Sequence, residues 1–286
     1  MPKNEKALRG TPIRKSTGDR IADALIYLLL ALMTVAVLFP FYNMLLISVA
    51  KYEDIISTPL YLFPKSIDLQ NYRMAFLYPN FLRSAGVSLF VTLVGTALNL
   101  LMTLLGAYVL SRRALPFRKF FFYLVVFTMY FGGGLIPWYM VVKTLGFVDS
   151  VWAMIIPPAM NTFYLILMRN YFQNIPESLE DSAKIDGATS WQAFRYITLP
   201  LLAPFIMVAV IIRTIDALKA FDTIYVITQG GPGTASETIN IFLYLNAFAY
   251  YNMGYASAVV VVFFALIIGL ALLLLWSRER FKDQIR

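Results

Sequence analysis

Arg213 and Asp216 carry opposite charges three residues apart, inside a hydrophobic run at 201–218. Charges in such a run are costly in a membrane and are expected to serve a function. Two interpretations follow: either the pair is a local ion pair whose arginine reaches for the membrane interface, or it forms a gate or a substrate contact. Asn161 and Tyr164, in an earlier run, could hydrogen-bond a polar solute or join two helices. We treat these four residues as candidates for a substrate path.

The sequence also excludes several kinds of chemistry. It contains no Cys and no His, which removes thiol nucleophiles, disulfides, zinc sites and the commonest general base. We therefore expect no metal site and no catalytic residue. The GxxxxGK[ST] loop that binds nucleotide phosphates is absent as well, so any ATP that is used must be bound by another subunit.

The composition indicates a membrane protein. Hydrophobic residues make up 59% of the chain and charged residues only 14%, against about 25% charged residues in soluble domains. Six runs approach the roughly 20 residues that a bilayer-spanning helix needs, at 21–48, 87–110, 120–140, 151–168, 201–218 and 255–276. The expected fold is all-α, with six transmembrane helices between basic tails at 1–20 and 277–286. Gly132 to Gly134 are expected to interrupt the third helix.

The basic residues predict the orientation. Four segments on one side of the predicted membrane hold 17 of the 24 Lys and Arg residues: 1–20, 111–119, 169–200 and 277–286. Because cytoplasmic loops carry the excess of Lys and Arg, both termini and a loop at 171–200 are placed in the cytoplasm. This topology also accounts for the net charge of +8 without nucleic-acid binding.

The longest polar segment between the runs, at 174–200, has the pattern of two short helices. Pro176 favours a helix start, and Gly187 favours a left-handed helix end. Thr189 and Gln192 have the spacing of a capping box for the second helix, which is expected to end before Pro200. One small, nearly flat face of the first helix is suited to a groove on another protein. Its members are Leu179, Ser182, Ala183 and Asp186.

This segment resembles the EAA loop of bacterial ABC-importer permeases. The family pattern is E-A-A, three residues, G, nine residues, then I-x-L-P, and the chain has Asp181-Ser182-Ala183, Gly187 and Ile197-Thr198-Leu199-Pro200 at that spacing. The two departures keep an acid and a small residue. The resemblance covers nearly the whole chain and points to the carbohydrate-type (maltose-like) permeases. Residues 39–204 resemble the subgroup associated with oligosaccharides and polysaccharide fragments. The matching segments include Pro40-Phe41-Tyr42, Asn71-Tyr72, 111–116 and 129–137.

Beyond residue 204 the chain is similar instead to the partner-type permease, in a loop at Thr228 to Gly233. Which half of a heterodimer it would occupy is therefore left open. The loop is either a tight turn or a contact for a binding protein. The candidate contact residues are Gly230, Gly231, Pro232 and Gly233.

The resemblance implies the ABC importer type I permease fold and a coupling helix that docks on an ATPase. It assigns the coupling role to Leu179, Asp181, Ser182, Ala183, Gly187, Ile197, Leu199 and Pro200. The implied partners are a second permease subunit, two cytoplasmic ATP-binding subunits, an extracytoplasmic solute-binding protein and the bilayer of a bacterial inner membrane. No cofactor would be bound directly, and ATP would be used by the partner. The alternatives are a permease for another small polar solute and an ion-coupled secondary transporter.

Overall fold

The computed structural model describes residues 16–58, 61–77, 79–148 and 150–284, so most of the expected N-terminal tail lies outside the described residues. The described residues form helices and no β-strand. In chain order the helices are α1 (Thr17–Ser48), α2 (Tyr52–Ser57), α3 (Gln70–Leu77), α4 (Pro79–Ser111), α5 (Arg118–Tyr130), α6 (Leu135–Thr144), α7 (Thr162–Asn174), α8 (Glu177–Ile185), α9 (Ser190–Ala193), α10 (Leu199–Leu218), α11 (Asp222–Ile227), α12 (Ile239–Tyr244) and α13 (Met253–Gln284). Short 3₁₀ turns at Val151–Met154 and Pro157–Ala159 precede α7.

Four helices in the described chain are long and apolar enough to cross a membrane. They are α1, α4, the continuous helix Ser190–Leu218 and α13. Two further crossings come from helix pairs with a break in the middle: α5 with α6, and Val151–Ala159 with α7. Six spans result when each pair counts as one span, which confirms the predicted fold class.

The third span differs from the interrupted helix predicted at 120–140. The axes of α5 and α6 lie at 115° to one another, with Gly134 at the junction in a conformation of φ +80°. Side chains other than glycine rarely adopt this conformation. With 13 residues, α5 is only about 20 Å long, and α6 leaves it sharply. The bend therefore brings the start of α6 to the wall of an open cavity.

The boundaries of both tails also differ from those predicted. α1 begins at Thr17, four residues before the expected boundary at 21. The backbone N–H of Ser16 donates to the Asp19 carboxylate at 2.8 Å, and this contact satisfies a donor at the helix start. At the other end α13 continues to Gln284, so most of the predicted basic tail at 277–286 is helical.

α4 is the central helix of the bundle and packs against α7 and α10. Its packed face carries small polar side chains, which allow helices to approach closely in a membrane: Ser84, Ser88, Thr92, Thr96, Asn99 and Thr103. The Asn99 side chain donates to the Ala159 carbonyl at 3.1 Å. By contrast, most apolar residues of α1 are exposed. α1 contacts α13, where the ring centres of Phe41 and Phe264 are 6.3 Å apart.

α4 also defines the two ends of the bundle. Near the start of α4, the Ser84 hydroxyl donates to the Glu237 carboxylate at 2.8 Å. Glu237 is buried and lies in the loop before α12. Arg112 follows its last residue and contacts α8. At 1.5 Å per residue the two contacts are roughly 40 Å apart. We call them the α12 end and the α8 end.

Candidate functional site

The polar segment after α7 folds as predicted into two helices joined at a glycine. Pro176 immediately precedes α8, and Gly187 follows it with φ +84°. The N–H of Gly187 donates to the Lys184 carbonyl at 3.0 Å, and the N–H of Ala188 donates to the Ala183 carbonyl at 2.8 Å. These two bonds form a Schellman motif, which requires the left-handed conformation at Gly187. The predicted helix end at Gly187 is confirmed.

The second short helix has the predicted capping box. The N–H of Thr189 donates to the Gln192 side chain at 2.8 Å, and the N–H of Gln192 donates to the Thr189 hydroxyl at 3.3 Å. The prediction that this helix ends before Pro200 is wrong. A π-helical turn, Phe194–Thr198, joins α9 to α10, and the N–H of Leu199 bonds to the Phe194 carbonyl. The wider turn shifts the hydrogen bonds, so that the helix accommodates a proline.

This continuity places the last three motif residues within one helix. Ile197, Leu199 and Pro200 are half-buried at the junction between the π-helical turn and α10. Any displacement of α9 is therefore passed directly to a membrane-spanning helix.

Glu180 connects α8 to the rest of the bundle. The Arg112 guanidinium donates two hydrogen bonds to the Glu180 carboxylate, at 2.6 and 2.7 Å. The Thr198 hydroxyl donates to the same carboxylate at 3.2 Å, and Arg112 lies 4.2 Å from the centre of the Tyr108 ring. Through these contacts one carboxylate joins the end of α4, α8 and the helix that continues into α10. The sequence analysis did not single out Glu180, because its partner Arg112 is 68 positions away in the chain.

The charges at this junction stabilise one another. The hydrogen bonds from Arg112 hold the pKa of Glu180 below its usual value, against the opposing effect of burial. The same contact raises the pKa of Arg112. A bidentate arginine–carboxylate pair is stronger and more directional than a simple ion pair. By comparison, the neighbouring pair of Arg113 and Glu177, at 3.3 Å, is largely exposed.

The exposed face of α8 differs from the predicted one. Ala183 is only 8% exposed and faces the bundle together with Glu180, so its expected place on the docking face is wrong. The outer face instead presents Leu179, Asp181, Ser182, Ile185 and Asp186. Ile185 is 85% exposed, and Asp181 pairs with Lys184 at 3.1 Å.

A cleft of about 530 Å³ lies beside this junction, between the end of α4 and α8. Three arginines and two glutamates line it: Arg112, Arg113, Arg118, Glu177 and Glu180. Its mixed charge and its position make the α8 end a polar surface suited to a protein partner.

The sequence left two interpretations of the loop at the α12 end, a tight turn or a contact for a binding protein. Gly230 is buried, and a side chain there would meet Ile241 at 3.3 Å, so this residue cannot make such a contact. Pro232 and Gly233 are exposed at the tip, and Gly231 is half-buried. A contact with a partner is possible only through the tip of the loop.

The charged residues within the membrane are paired differently from the ion pair considered above. Asp216 lies 2.8 Å from Lys219 and accepts a hydrogen bond from the buried Tyr164 hydroxyl, which joins α7 to α10. The Arg213 guanidinium does not come within ion-pair distance of the Asp216 carboxylate, which contacts Lys219 and Tyr164. Asn161 caps α7, where its side chain accepts from the N–H of Phe163 at 2.9 Å. The structure thus gives Asn161, Tyr164 and Asp216 structural contacts, whereas Arg213 lines a cavity.

Comparison with known families identifies the chain. The family described as "binding-protein-dependent transport system inner membrane component" matches residues 113–283, a segment that contains α5 to α12 and nearly all of α13. The chain belongs to this family. The matched segment includes residues 174–200 and the exposed face of α8.

Two relatives of this inner membrane component carry transport names. The chain is 45% identical over 188 residues to the polygalacturonan/rhamnogalacturonan transport system permease protein of Bacillus subtilis (strain 168), and the alignment covers 66% of each protein. It is 41% identical over 133 residues to the trehalose/maltose transport system permease protein of Thermococcus litoralis, over 45% of this chain and 44% of the relative. The aligned segment thus spans about two thirds of the Bacillus subtilis relative and less than half of the Thermococcus litoralis relative.

A solved structure shows the same fold. It is a crystal structure of a bacterial ABC transporter involved in the import of the acidic polysaccharide alginate. The TM-score is 0.77 over 90% of this chain and 96% of that chain, at 24% sequence identity. The inner membrane component therefore has the ABC importer permease fold that the EAA-like motif implied.

Proposed function

We propose that the chain is the permease subunit of an ATP-driven, binding-protein-dependent importer of carbohydrates, most of all oligosaccharides. Family membership and the permease fold support the transport role, and the transport names of two relatives support the substrate class. A permease for another small polar solute is the second candidate, because only the names of relatives point to sugars.

The observation that carries the proposal is the exposed face of α8 together with its link to two spans. Ile185 and Leu179 are apolar and exposed on a short helix outside the predicted membrane, as expected of a surface that a partner covers. Glu180 ties the same helix to Arg112 at the end of α4, and the helix Ser190–Leu218 carries motion from α9 into α10. An ATPase that docked here would thus move two spans with one helix.

In this proposal the α8 end lies in the cytoplasm, and both termini lie there as well. The start of α1 and the end of α13 belong to the same side, because each helix crosses once and α13 begins at the α12 end. Two ATP-binding subunits would dock at the α8 end and hydrolyse ATP, and this chain would bind no cofactor itself. A second permease subunit would complete the path, and a solute-binding protein would approach the α12 end of the inner-membrane complex.

ATP drives transport in this scheme only if it favours one arrangement of the spans. Binding of ATP would bring the two ATPase subunits together and displace α8 of each permease. The displacement would shift the cavity between α4, α6 and α10 from inward-facing to outward-facing. A ligand changes such an equilibrium only as far as it binds the two states differently.

Cysteine crosslinking tests the proposal, since the chain has no native Cys. Ile185→Cys is paired with a cysteine in the docking cleft of the ATPase subunit, in membranes with and without ATP. Ala183→Cys is the matched control, because it lies on the same helix with only 8% exposure. We expect a nucleotide-sensitive crosslink from the Ile185 variant and little from the control. The Ile185 variant could instead fail to crosslink with any ATPase while an ion gradient still drives solute uptake. That result would favour a secondary transporter.

A further inference from the structure

An open cavity of about 410 Å³ lies between helices of the bundle. α4, α6, α10, α11 and the 3₁₀ turns contribute its walls. Its lining is mainly apolar and includes Val91, Leu135, Met154, Pro158, Ile224 and Ile227. Among the lining residues Arg213 is the only one with a charged side chain. A single cation in an apolar cavity at membrane depth calls for a compensating anion.

The described residues place Asp216 near Arg213 but not in contact with it. None of their carboxylates lies within ion-pair distance of the Arg213 guanidinium. Its Nε atom is buried without a hydrogen-bond partner in the described chain. Asp216, one turn away, is engaged by Lys219 and Tyr164. The guanidinium therefore keeps hydrogen-bonding capacity that the folded chain leaves unused.

The other polar groups at this cavity are mostly donors. The indole N–H of Trp138 is buried without a partner among the described residues. Gly132 to Gly134 and Leu135 also line the cavity, at the start of α6. The first N–H groups of a helix have no partner within the helix, and the positive end of the helix dipole lies there. Thr223 contributes the one hydroxyl among the lining side chains.

We propose that this cavity binds the carboxylate of an acidic sugar residue in the transported oligosaccharide, with Arg213 as its charge partner. Arginine matches a carboxylate in a bidentate geometry, and Trp138 lines the same cavity. The apolar lining suits the carbon faces of a sugar ring. The inference rests on the proposed function and narrows its substrate class from carbohydrates to uronic-acid oligosaccharides.

The test uses the complete importer, reconstituted with its ATPase subunits and binding protein in liposomes. Uptake of trigalacturonate is compared with uptake of its methyl ester, which has the same sugar rings without the negative charge. The variants are Arg213→Gln, Arg213→Lys and Trp138→Phe. Lys143→Gln is the matched control, because it removes one positive charge from an exposed position of α6 outside the cavity.

We expect Arg213→Gln to lower the uptake of trigalacturonate at least tenfold and to leave the uptake of the ester nearly unchanged. Arg213→Lys should retain part of the preference for the acid, and Trp138→Phe should lower it several-fold. The control should behave as the wild-type protein does. If Arg213→Gln does not fold, the comparison of acid and ester in the lysine and phenylalanine variants decides the question.

Two other outcomes separate this inference from the proposed function. ATP-dependent uptake of the ester but not of the acid by the wild-type importer would overturn the carboxylate site and leave the carbohydrate importer intact. Equal losses for both probes in Arg213→Gln would likewise overturn it, since the residue would then act on transport in general. ATP-dependent uptake of neither probe, nor of any neutral oligosaccharide, would contradict the proposed function itself.

Discussion

Arg112 and Glu180 are 68 positions apart in the chain, yet their side chains form a bidentate pair at 2.6 and 2.7 Å. Arg112 follows the membrane-spanning helix α4, and Glu180 lies on the short helix α8, whose outer face is exposed. The side chain of Glu180 is 14% exposed, so little water competes for the contact. The pair thus connects α8 directly to the end of α4.

Glu180→Gln should weaken this link without changing the shape of the side chain. Hydrogen bonds that involve charged groups contribute about 1.5 to 3 kcal/mol, so we expect the free energy of unfolding to fall by roughly 1 to 3 kcal/mol. We also expect ATP hydrolysis to continue in the assembled importer while uptake falls. The measurements are chemical unfolding of the purified chain, and ATPase and uptake rates in liposomes.

Glu177→Gln is the control for this variant. It removes an acid of the same helix, but from the exposed pair with Arg113, whose side chains are 82% and 61% exposed. Such pairs contribute about 0 to 1 kcal/mol. Equal uncoupling in the two variants would contradict a special role for Glu180.

The stability of the bundle should depend on pH through Glu180. Its pKa is lower in the folded protein than in the unfolded chain, because Arg112 donates hydrogen bonds to the ionised form. The contribution is therefore complete above the usual glutamate pKa of about 4.3. It is lost as the pH falls through the lowered pKa, because the unfolded chain binds the proton more readily. Unfolding of the wild type and of Glu180→Gln between pH 3 and 7 should give a difference that is constant near neutrality and shrinks in acid. A difference that grows in acid would refute the assignment.

Gly187→Ala should destabilise the end of α8 although there is room for the added methyl group. No atom lies within 4 Å of the position that a Cβ atom would take, but φ is +84°. A left-handed conformation costs other residues roughly 1 to 2 kcal/mol. Gly146→Ala is a matched control with φ +74° and equal room, at the opposite end of the bundle. We expect similar losses of thermal stability in both variants, and a loss of coupled transport only at Gly187. Coupled transport that is equally impaired in both would show that strain alone is responsible.

Gly106→Ala should disturb the packing of α4 against α7. A methyl group there would come within 2.8 Å of Met160 and 2.9 Å of Leu165, and Leu165 is only 1% exposed. Overpacking of a tight interface costs about 1 to 3 kcal/mol. Gly86→Ala, on the same helix with no atom within 4 Å, should leave stability unchanged or raise it slightly. Thermal unfolding in detergent compares the two, and an equal response would contradict close packing at Gly106.

The sequence determined the features of this protein that depend on neighbouring residues. Hydrophobic runs near bilayer length predicted an all-α membrane protein, since each run satisfies its own backbone within a helix. The ends of α8 and α9 were predictable for a similar reason. The Schellman motif at Gly187 and the capping box of Thr189 and Gln192 involve residues within five positions of one another.

Only the tertiary structure decided which groups meet across the bundle. The 115° bend after α5, the inward face of Ala183 and the pairing of Asp216 with Tyr164 all depend on how helices pack. The pair of Arg112 and Glu180 depends on the same packing. Helical periodicity shows which residues share a face, but not which face is turned inward. Contacts between residues far apart in the chain decide which face is buried, and local sequence patterns do not show which distant residues will meet.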